Sequence, residues 1–302
     1  MNIIGHRYLF LLISGILMLV SAAALAAWGL KLGIDFTGGS LMEVSFEGAR
    51  PRADLIRAQF TNQGAENASV QLADECCVIA RFRAVDEETH QRILAGLGSL
   101  GQVTERRFDA VGPSIGAELG RRALLALALA LGAIIAYVAY AFRRVSRPVA
   151  SWKYGAAALV ALLHDVLIPS GVFAALGRFR GVEVDALFVT ALLTIVGFSV
   201  HDTIVVFDRT RENLRSGADG EHYGAIVNRS LNETMRRSLF TSLTVLLVLA
   251  AVLIFGGVST RWFALALMIG IVFGTYSSIF VASPILVVWN KMAEKKRRRL
   301  FK

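Results

Sequence analysis

Cysteine is almost absent from this 302-residue chain: there are two, Cys76 and Cys77, and they are adjacent. Neighbouring thiols make neither a disulfide framework nor the spaced pairs of a zinc site, so both are expected as half-buried strand residues. Acidic residues are also scarce, with 23 Asp and Glu against 32 Lys and Arg and a net charge of +9. A nucleic-acid surface would need that excess gathered on one soluble face. Here the basic residues instead punctuate apolar runs of 17 or more residues, in a chain that is 55% hydrophobic with a mean hydropathy of +0.57. Nucleic acid is therefore excluded as a partner, and the runs specify a membrane protein.

The first run, residues 8–30, ends in small residues like those before a signal-peptide cleavage site. Signal cores extend only about 7–15 residues, whereas a bilayer takes about 20. The run is 23 residues long, so an uncleaved first span is expected. Five more apolar runs follow at about 123–142, 154–176, 186–207, 239–255 and 263–289, giving six spans. With the N-terminus placed in the cytoplasm, eighteen Lys and Arg fall on cytoplasmic segments, and only Arg178, Arg180 and Arg261 fall on the short outer loops. The positive-inside rule then places both ends inside and the long first loop outside. The C-terminal cluster around Lys295–Arg299 is expected to lie on anionic lipid.

That loop mixes polar and apolar residues with nearly balanced charge, as a water-exposed domain does. Strand-like alternation at 41–46, 69–72, 76–82 and 102–108 is interleaved with helical spacing at 52–60 (Leu55, Ile56, Phe60) and 86–97 (Ile93, Leu94, Leu97). The order β-α-β-β-α-β is that of a ferredoxin-like split unit. Its aromatics, Phe46, Phe60, Phe82 and Phe108, suffice for one small core. The expected organisation is 1–32 as the N-terminus and first span, 33–118 as the external α+β domain, 119–290 as the five remaining spans, and 291–302 as a basic cytoplasmic tail. Residues 111–116 are expected to tether the domain back to the membrane.

Two His-Asp pairs lie within spans, His164–Asp165 on the third and His201–Asp202 on the fourth. An ionisable group there costs about 2.5–3.5 kcal/mol on insertion scales, so its default meaning is a proton or ion path. Adjacent helical residues are about 100° apart. Asp202 thus shares a face with Ser199, and His201 lines up with Gly197 and Val205. A carboxyl that loads and releases a proton near pH 7 needs about 4 kcal/mol of differential interaction, supplied by burial and reversed by an approaching cation. Arg236 and Arg237, at the mouth of the fifth span, are the candidates for that cation. Imidazole with carboxylate also suits transition metals, but no third ligand or nucleophile accompanies either pair, so neither a metal site nor an enzyme is expected.

Four segments together resemble the SecF family, the smaller membrane subunits of the SecD–SecF complex of bacterial protein export. They are Gly33-Ile-Asp-Phe-Thr-Gly-Gly39, Leu163-His-Asp-Val166, the fourth-span stretch Val196–Arg215 with its Ser-Val-His-Asp-Thr core, and Arg237-Ser-Leu-Phe-Thr-Ser242. The resemblance implies a relative of the resistance-nodulation-division exporters. Such a subunit pairs with SecD, associates with the SecYEG channel and YajC, and uses the proton motive force to assist unfolded preprotein late in translocation. No cofactor is implied beyond the coupling ion, a proton. Carried over by position, Asp202 matches the proton-path aspartate and Arg237 the arginine associated with it. Asp35, Phe36, Thr37, Gly38 and Gly39 match the motif joining the first span to the external domain. Many SecF sequences have asparagine before this aspartate, where this chain has His201. The alternative reading is half of a proton-coupled small-molecule exporter of the same superfamily, whose outer domain would hold an apolar substrate pocket.

Overall fold

A computed structural model describes residues 1–48, 50–65, 68–73, 77–142, 149–216 and 221–300. Cys76, Arg143, Arg144, Arg147 and Lys302 lie outside the described residues. The chain divides into two compact units, one of residues 1–31, 126–182 and 187–302, the other of residues 32–125 with 183–186.

The first unit contains the apolar helices, apart from residues 113–125 and residue 186, which fall in the second. After a 3-10 turn at Ile4–His6 come α1 (Arg7–Trp28), and then α5 (Pro113–Ala141), α6 (Ser151–Arg180), α7 (Ala186–Ser216) and α8 (Tyr223–Phe255). The last span is composite: α9 (Val258–Ser277) passes through a π-helical turn at Ser278–Ala282 into α10 (Ser283–Leu300). Among the described residues six helices are long and apolar enough to cross a membrane, as the hydropathy pattern predicts. Several exceed their apolar runs. Proline sits at the first position of α5, where its missing N–H and fixed φ are tolerated, so the expected tether is the start of a helix. α8 begins 16 residues before its apolar run, because Ile226, Val227, Leu231 and Thr234 recur on one buried side of an amphipathic stretch.

Small residues set the packing within this unit. Ala157, Ala161, Ala174, Ala191, Ala264 and Ala266 are buried where helices meet. A Cβ at Gly171 of α6 would lie 2.5 Å from Ser21 Cα of α1, so only glycine permits that approach. Larger side chains fill the end near the N-terminus, where the Tyr154 ring stacks on Phe142 and meets Phe207 edge-on, with centroids at 5.3 and 5.2 Å.

The second unit is built on α2 (Ile34–Thr37), β1 (Gly39–Phe46), α3 (Ala53–Asn62), β2 (Ser69–Ala73), β3 (Cys77–Phe82), α4 (Glu87–Gly98) and β4 (Val103–Val111). The antiparallel order β2-β3-β1-β4 is the ferredoxin-like one predicted from the alternation. Met42, Val44 and Phe46 of β1 pack with Val78, Ala80 and Phe82 of β3 against Ile56 and Phe60 of α3 and Ile93 and Leu97 of α4. Leu55 stays exposed, since its neighbour Ile56 holds the inward position. Cys77 is buried in β3.

This unit is larger than 33–118, because the loop between α6 and α7 folds onto it. Leu32 pairs with Val184 in a parallel bridge, Gly33 N donates to Val184 O at 2.8 Å, and Arg81 Nε meets Glu183 Oε2 at 2.6 Å. Burial pulls the Arg81 pKa down, and the charges of Glu183 and then Asp185 oppose that shift. Glu183→Gln removes that compensation and leaves Arg81 largely buried. Broken buried pairs cost about 3–5 kcal/mol, and partial exposure here scales the expected loss to about 1–2 kcal/mol. Hydrogen exchange should therefore quicken at the Gly33 amide but not in the β1–β3 core; unchanged Gly33 exchange would show that the ion pair does not hold the loop.

Candidate functional site

The His-Asp pairs of α6 and α7 are placed differently by the packing. Asp165 is fully buried. Its Oδ1 accepts from Nδ1 of the preceding His164 at 2.8 Å, while its Oδ2 accepts from Ser277 Oγ of α9 at 2.7 Å and from Ser199 Oγ of α7. His164 is also buried, its ring centroid 6.0 Å from those of Phe273 and Tyr276, and its Nε2 meets no hydrogen-bond partner among the described residues. Since a carboxylate accepts at Nδ1, the tautomer with its proton on Nδ1 is assigned.

Asp202 is 8% exposed and takes its hydrogen bonds from two other helices. Ser238 Oγ of α8 donates to Oδ1, and Ser278 Oγ, in the π-helical turn, donates to Oδ2 at 2.5 Å. One turn further along α8, Ser242 Oγ meets Thr275 Oγ1 at 2.5 Å. Consecutive serines at the end of α9 thus hold the two carboxyl groups, Ser277 that of α6 and Ser278 that of α7. Among the described residues neither carboxyl has an ion pair with lysine or arginine.

Both of those serines have a second acceptor. Ser277 Oγ lies 3.0 Å from Gly274 O, and Ser278 Oγ lies 2.9 Å from Thr275 O. A hydroxyl has one hydrogen and two lone pairs. Facing an ionised carboxylate, the serine donates to it. Facing a protonated carboxyl, it turns its hydrogen to the backbone carbonyl and accepts the carboxyl proton. Either protonation state therefore leaves the serine hydrogen-bonded, where an unsatisfied buried polar group would cost about 1–3 kcal/mol.

Ser199, placed beside Asp202 by helical spacing, reaches across to Asp165 instead. His201 and Gly197 are exposed, with Val205 half-buried. Arg236 lies over the Phe240 ring, 5.4 Å from its centroid, and both Arg236 and Arg237 are exposed. The 100° step that parts His201 from Asp202 also parts Arg237 from Ser238, and it is Ser238 that reaches Asp202. The site residues missed in the sequence are Ser238, Ser242, Thr275, Ser277 and Ser278. Their signal is serine and threonine at i,i+3 and i,i+4 spacing inside otherwise apolar runs.

The junction motif serves the second unit. Asp35 Oδ2 accepts from Ala186 N, the first residue of α7, at 2.8 Å, as an anion does at a helix N-terminus. Thr37 Oγ1 donates back to Gly33 O at 3.0 Å and so ties the short α2 turn. Gly38 has φ +73°, and a Cβ there would come within 2.6 Å of Pro113 Cα, so backbone crosses backbone where the chain enters α5. Phe36 is half-buried beside Gly120, and Gly39 starts β1.

Residues 91–292 match the family described as protein export membrane protein SecD/SecF, C-terminal, and residues 24–49 match the SecD/SecF GG motif. The chain is 44% identical to protein translocase subunit SecF of Thermobaculum terrenum, over 96% of this chain and 94% of that one. It is 40% identical to the subunit of the same name from Anaerolinea thermophila, over the same shares. Among solved structures, SecDF from Thermus, a translocon-associated membrane protein, superposes with a TM-score of 0.84 at 34% identity, covering 96% of this chain and 39% of that one. A super-membrane-facing form of SecDF gives 0.71 at 33% identity, covering 99% and 40%. The chain thus spans about two fifths of SecDF and nearly all of the single-subunit relatives.

Removing either donor to Asp202, by Ser238→Ala or Ser278→Ala, is expected to cost about 1–3 kcal/mol, read as a lowered thermal unfolding midpoint in detergent. Thr244→Ala, on the exposed side of α8, should stay within about 0.5 kcal/mol. Equal effects at all three positions would mean that the serines hold nothing.

Proposed function

The chain belongs to the SecD/SecF family of protein-export membrane proteins, and from that membership we propose that it is the SecF-type auxiliary subunit of a bacterial Sec translocase. It is a multi-pass membrane protein. In this reading it lies in the cytoplasmic (inner) membrane with both termini in the cytoplasm, as the charge asymmetry of its loops supports. SecD is its partner, supported by the SecDF structures, in which both names belong to one chain. SecYEG, YajC, unfolded preprotein and anionic lipid at the basic tail are the wider surroundings that this role implies. The role is transport and not catalysis, in line with the translocase-subunit names of its relatives.

The observation that carries the proton-coupled form of this reading is the pair of buried carboxyl groups with serine partners suited to both protonation states. With the assigned orientation, Asp165 lies 14 residues along α6, about 21 Å from its cytoplasmic end, and Asp202 lies 16 residues along α7, about 24 Å from its outer end. Counted from its outer end, Asp165 lies 15 residues along α6, about 22 Å, so the two carboxyl groups sit at nearly the same depth and a proton moving inward meets them as a pair. His164 and Ser199 orient Asp165, and Ser238 and Ser278 orient Asp202. A proton driven through 100 mV supplies about 2.3 kcal/mol per charge. Arg237 and His201 enter the path from the uncovered side, where a SecD helix belongs.

The exporter alternative requires an apolar substrate pocket in the outer unit. The cavity there, about 600 Å³, is instead lined by Arg81, Arg83, Glu183 and Thr37 together with Leu32, Ile34 and Phe82. The deciding measurement is preprotein export into vesicles containing this protein with its SecD partner. Asp202→Asn should abolish the increment produced by a proton gradient and leave gradient-independent export unchanged, and Asp165→Asn should do the same. An undiminished increment in Asp202→Asn removes the proton role, and gradient-driven drug efflux would favour the exporter.

A further inference from the structure

At the end of the first unit where the chain begins, a cleft of about 620 Å³ opens between the residues preceding α1, the start of α8 and the middle of α10. Its wall is basic: Arg7, Arg229 and Lys291 line it, against one lining carboxylate, Glu294. Glu294 is engaged by Asn290 Nδ2 at 2.7 Å, and Arg229 is shared with Glu221 at 3.2 Å. That leaves Arg7 and Lys291. Arg7 Nη1 donates to Ile4 O at 2.8 Å, while its Nε is buried with no partner among the described residues. Lys291 is exposed and forms no ion pair among the described residues. The positive end of the 33-residue helix α8, whose N-cap His222 provides no side-chain bond, adds to the same field.

The scaffold of the cleft is rigid. Asn228 Oδ1 accepts from Ile3 N and Ile4 N at 2.8 and 3.2 Å, and Asn228 and Asn232 both donate to Met1 O. The N-terminal residues are therefore fixed as a wall. The remainder of the lining includes apolar Ile4 and Val287. Arg7 is the first residue of α1, and past it that span exposes Tyr8, Leu9 and Leu12, the last at 61%. Basic clefts between spans at the membrane surface suit phospholipid headgroups, and here a polar wall continues into exposed apolar helix.

We propose that this cleft binds one anionic phospholipid, its phosphate held by Arg7 and Lys291 and its acyl chains lying along the exposed side of α1. Free inorganic phosphate offers the same charge and would use only the polar wall; the apolar lining and the exposed helix favour the lipid. The site takes Lys291, where the basic segment 291–302 begins, but not the cluster at Lys295–Arg299, and it is independent of the proton path.

The test is native mass spectrometry of the full chain, purified in detergent, counting retained phosphatidylglycerol and phosphatidylcholine. Lys291→Gln should lower phosphatidylglycerol affinity about five-fold and the double change Arg7→Gln with Lys291→Gln about twenty-fold, with phosphatidylcholine unaffected. Lys295→Gln, outside the cleft, should change little. Lys291 is at the surface, so its variant folds even where the Arg7 change does not. Retention of phosphatidylglycerol by Lys291→Gln overturns the proposal. An equal loss in Lys295→Gln also overturns it, assigning the lipid to diffuse attraction by the tail. Full displacement by millimolar inorganic phosphate overturns the lipid assignment in favour of a free-anion site.

Discussion

Two carboxyl groups buried among apolar helices, with no lysine or arginine paired to either among the described residues, set the terms for this structure. Transfer of a charge away from water is tolerated only where hydrogen bonds replace hydration. Here every replacement bond to Asp202 and most of those to Asp165 come from serine, a side chain that donates without adding charge. The donors must also come from different helices, because one helix cannot wrap a carboxylate of its neighbour. Ser199, Ser238, Ser277 and Ser278 therefore fix how α6, α7, α8 and α9 meet. Consecutive residues point about 100° apart, so one helix end can serve two neighbours at once. The switch from α to π geometry begins at the second of those serines, and π-turns inside helices are frequent at functional sites.

The unit that contains the sheet handles charge in the opposite way. Arg81 meets Glu183, His90 lies between Glu87 and Glu105, and Asp35 accepts a backbone amide at the start of α7. Each of these charges meets an opposite charge or a backbone amide, so ion pairs can serve there as positioning devices. In the membrane unit a fixed arginine would hold a carboxylate permanently ionised, which defeats a proton carrier. The serine partners leave both states of the carboxyl satisfied, and that reversibility distinguishes the site from a structural ion pair.

Much of this was legible in the chain itself. Alternation and helical spacing suffice for the β-α-β-β-α-β order, and uninterrupted hydropathy for six spans, because both signals come from burial on one known face. The limits of that signal explain what was missed. The first sixteen residues of α8 form an amphipathic helix whose polar residues break the apolar run. Helical spacing says which side of α7 Ser199 occupies but not which neighbour stands there, so it paired Ser199 with Asp202 when the packing gives it to Asp165. Ser277 and Ser278 were invisible for the same reason: a hydroxyl in a span most often bonds its own helix, and only tertiary contacts reveal one that reaches a carboxylate.

The remaining polar surface then acquires a physical reason. Along α7, Thr190, Thr194, Gly197 and His201 form an exposed stripe, and Arg237 is exposed on α8. Threonine in such a place satisfies itself, as Thr194 does by donating to Thr190 O at 2.8 Å. The His201 ring makes no such bond among the described residues. Intramembrane ionisable residues face the interior of a bundle or a wet cavity because lipid offers them nothing, and glycine four residues before His201 leaves room for a helix to approach. A stripe of this composition, exposed along two helices of this chain, has the character of a helix-contact surface and not of a lipid-facing one. With a further helix over that stripe, His201 and Arg237, each adjacent in sequence to one member of the Asp202–Ser238 hydrogen bond, would lie inside a bundle.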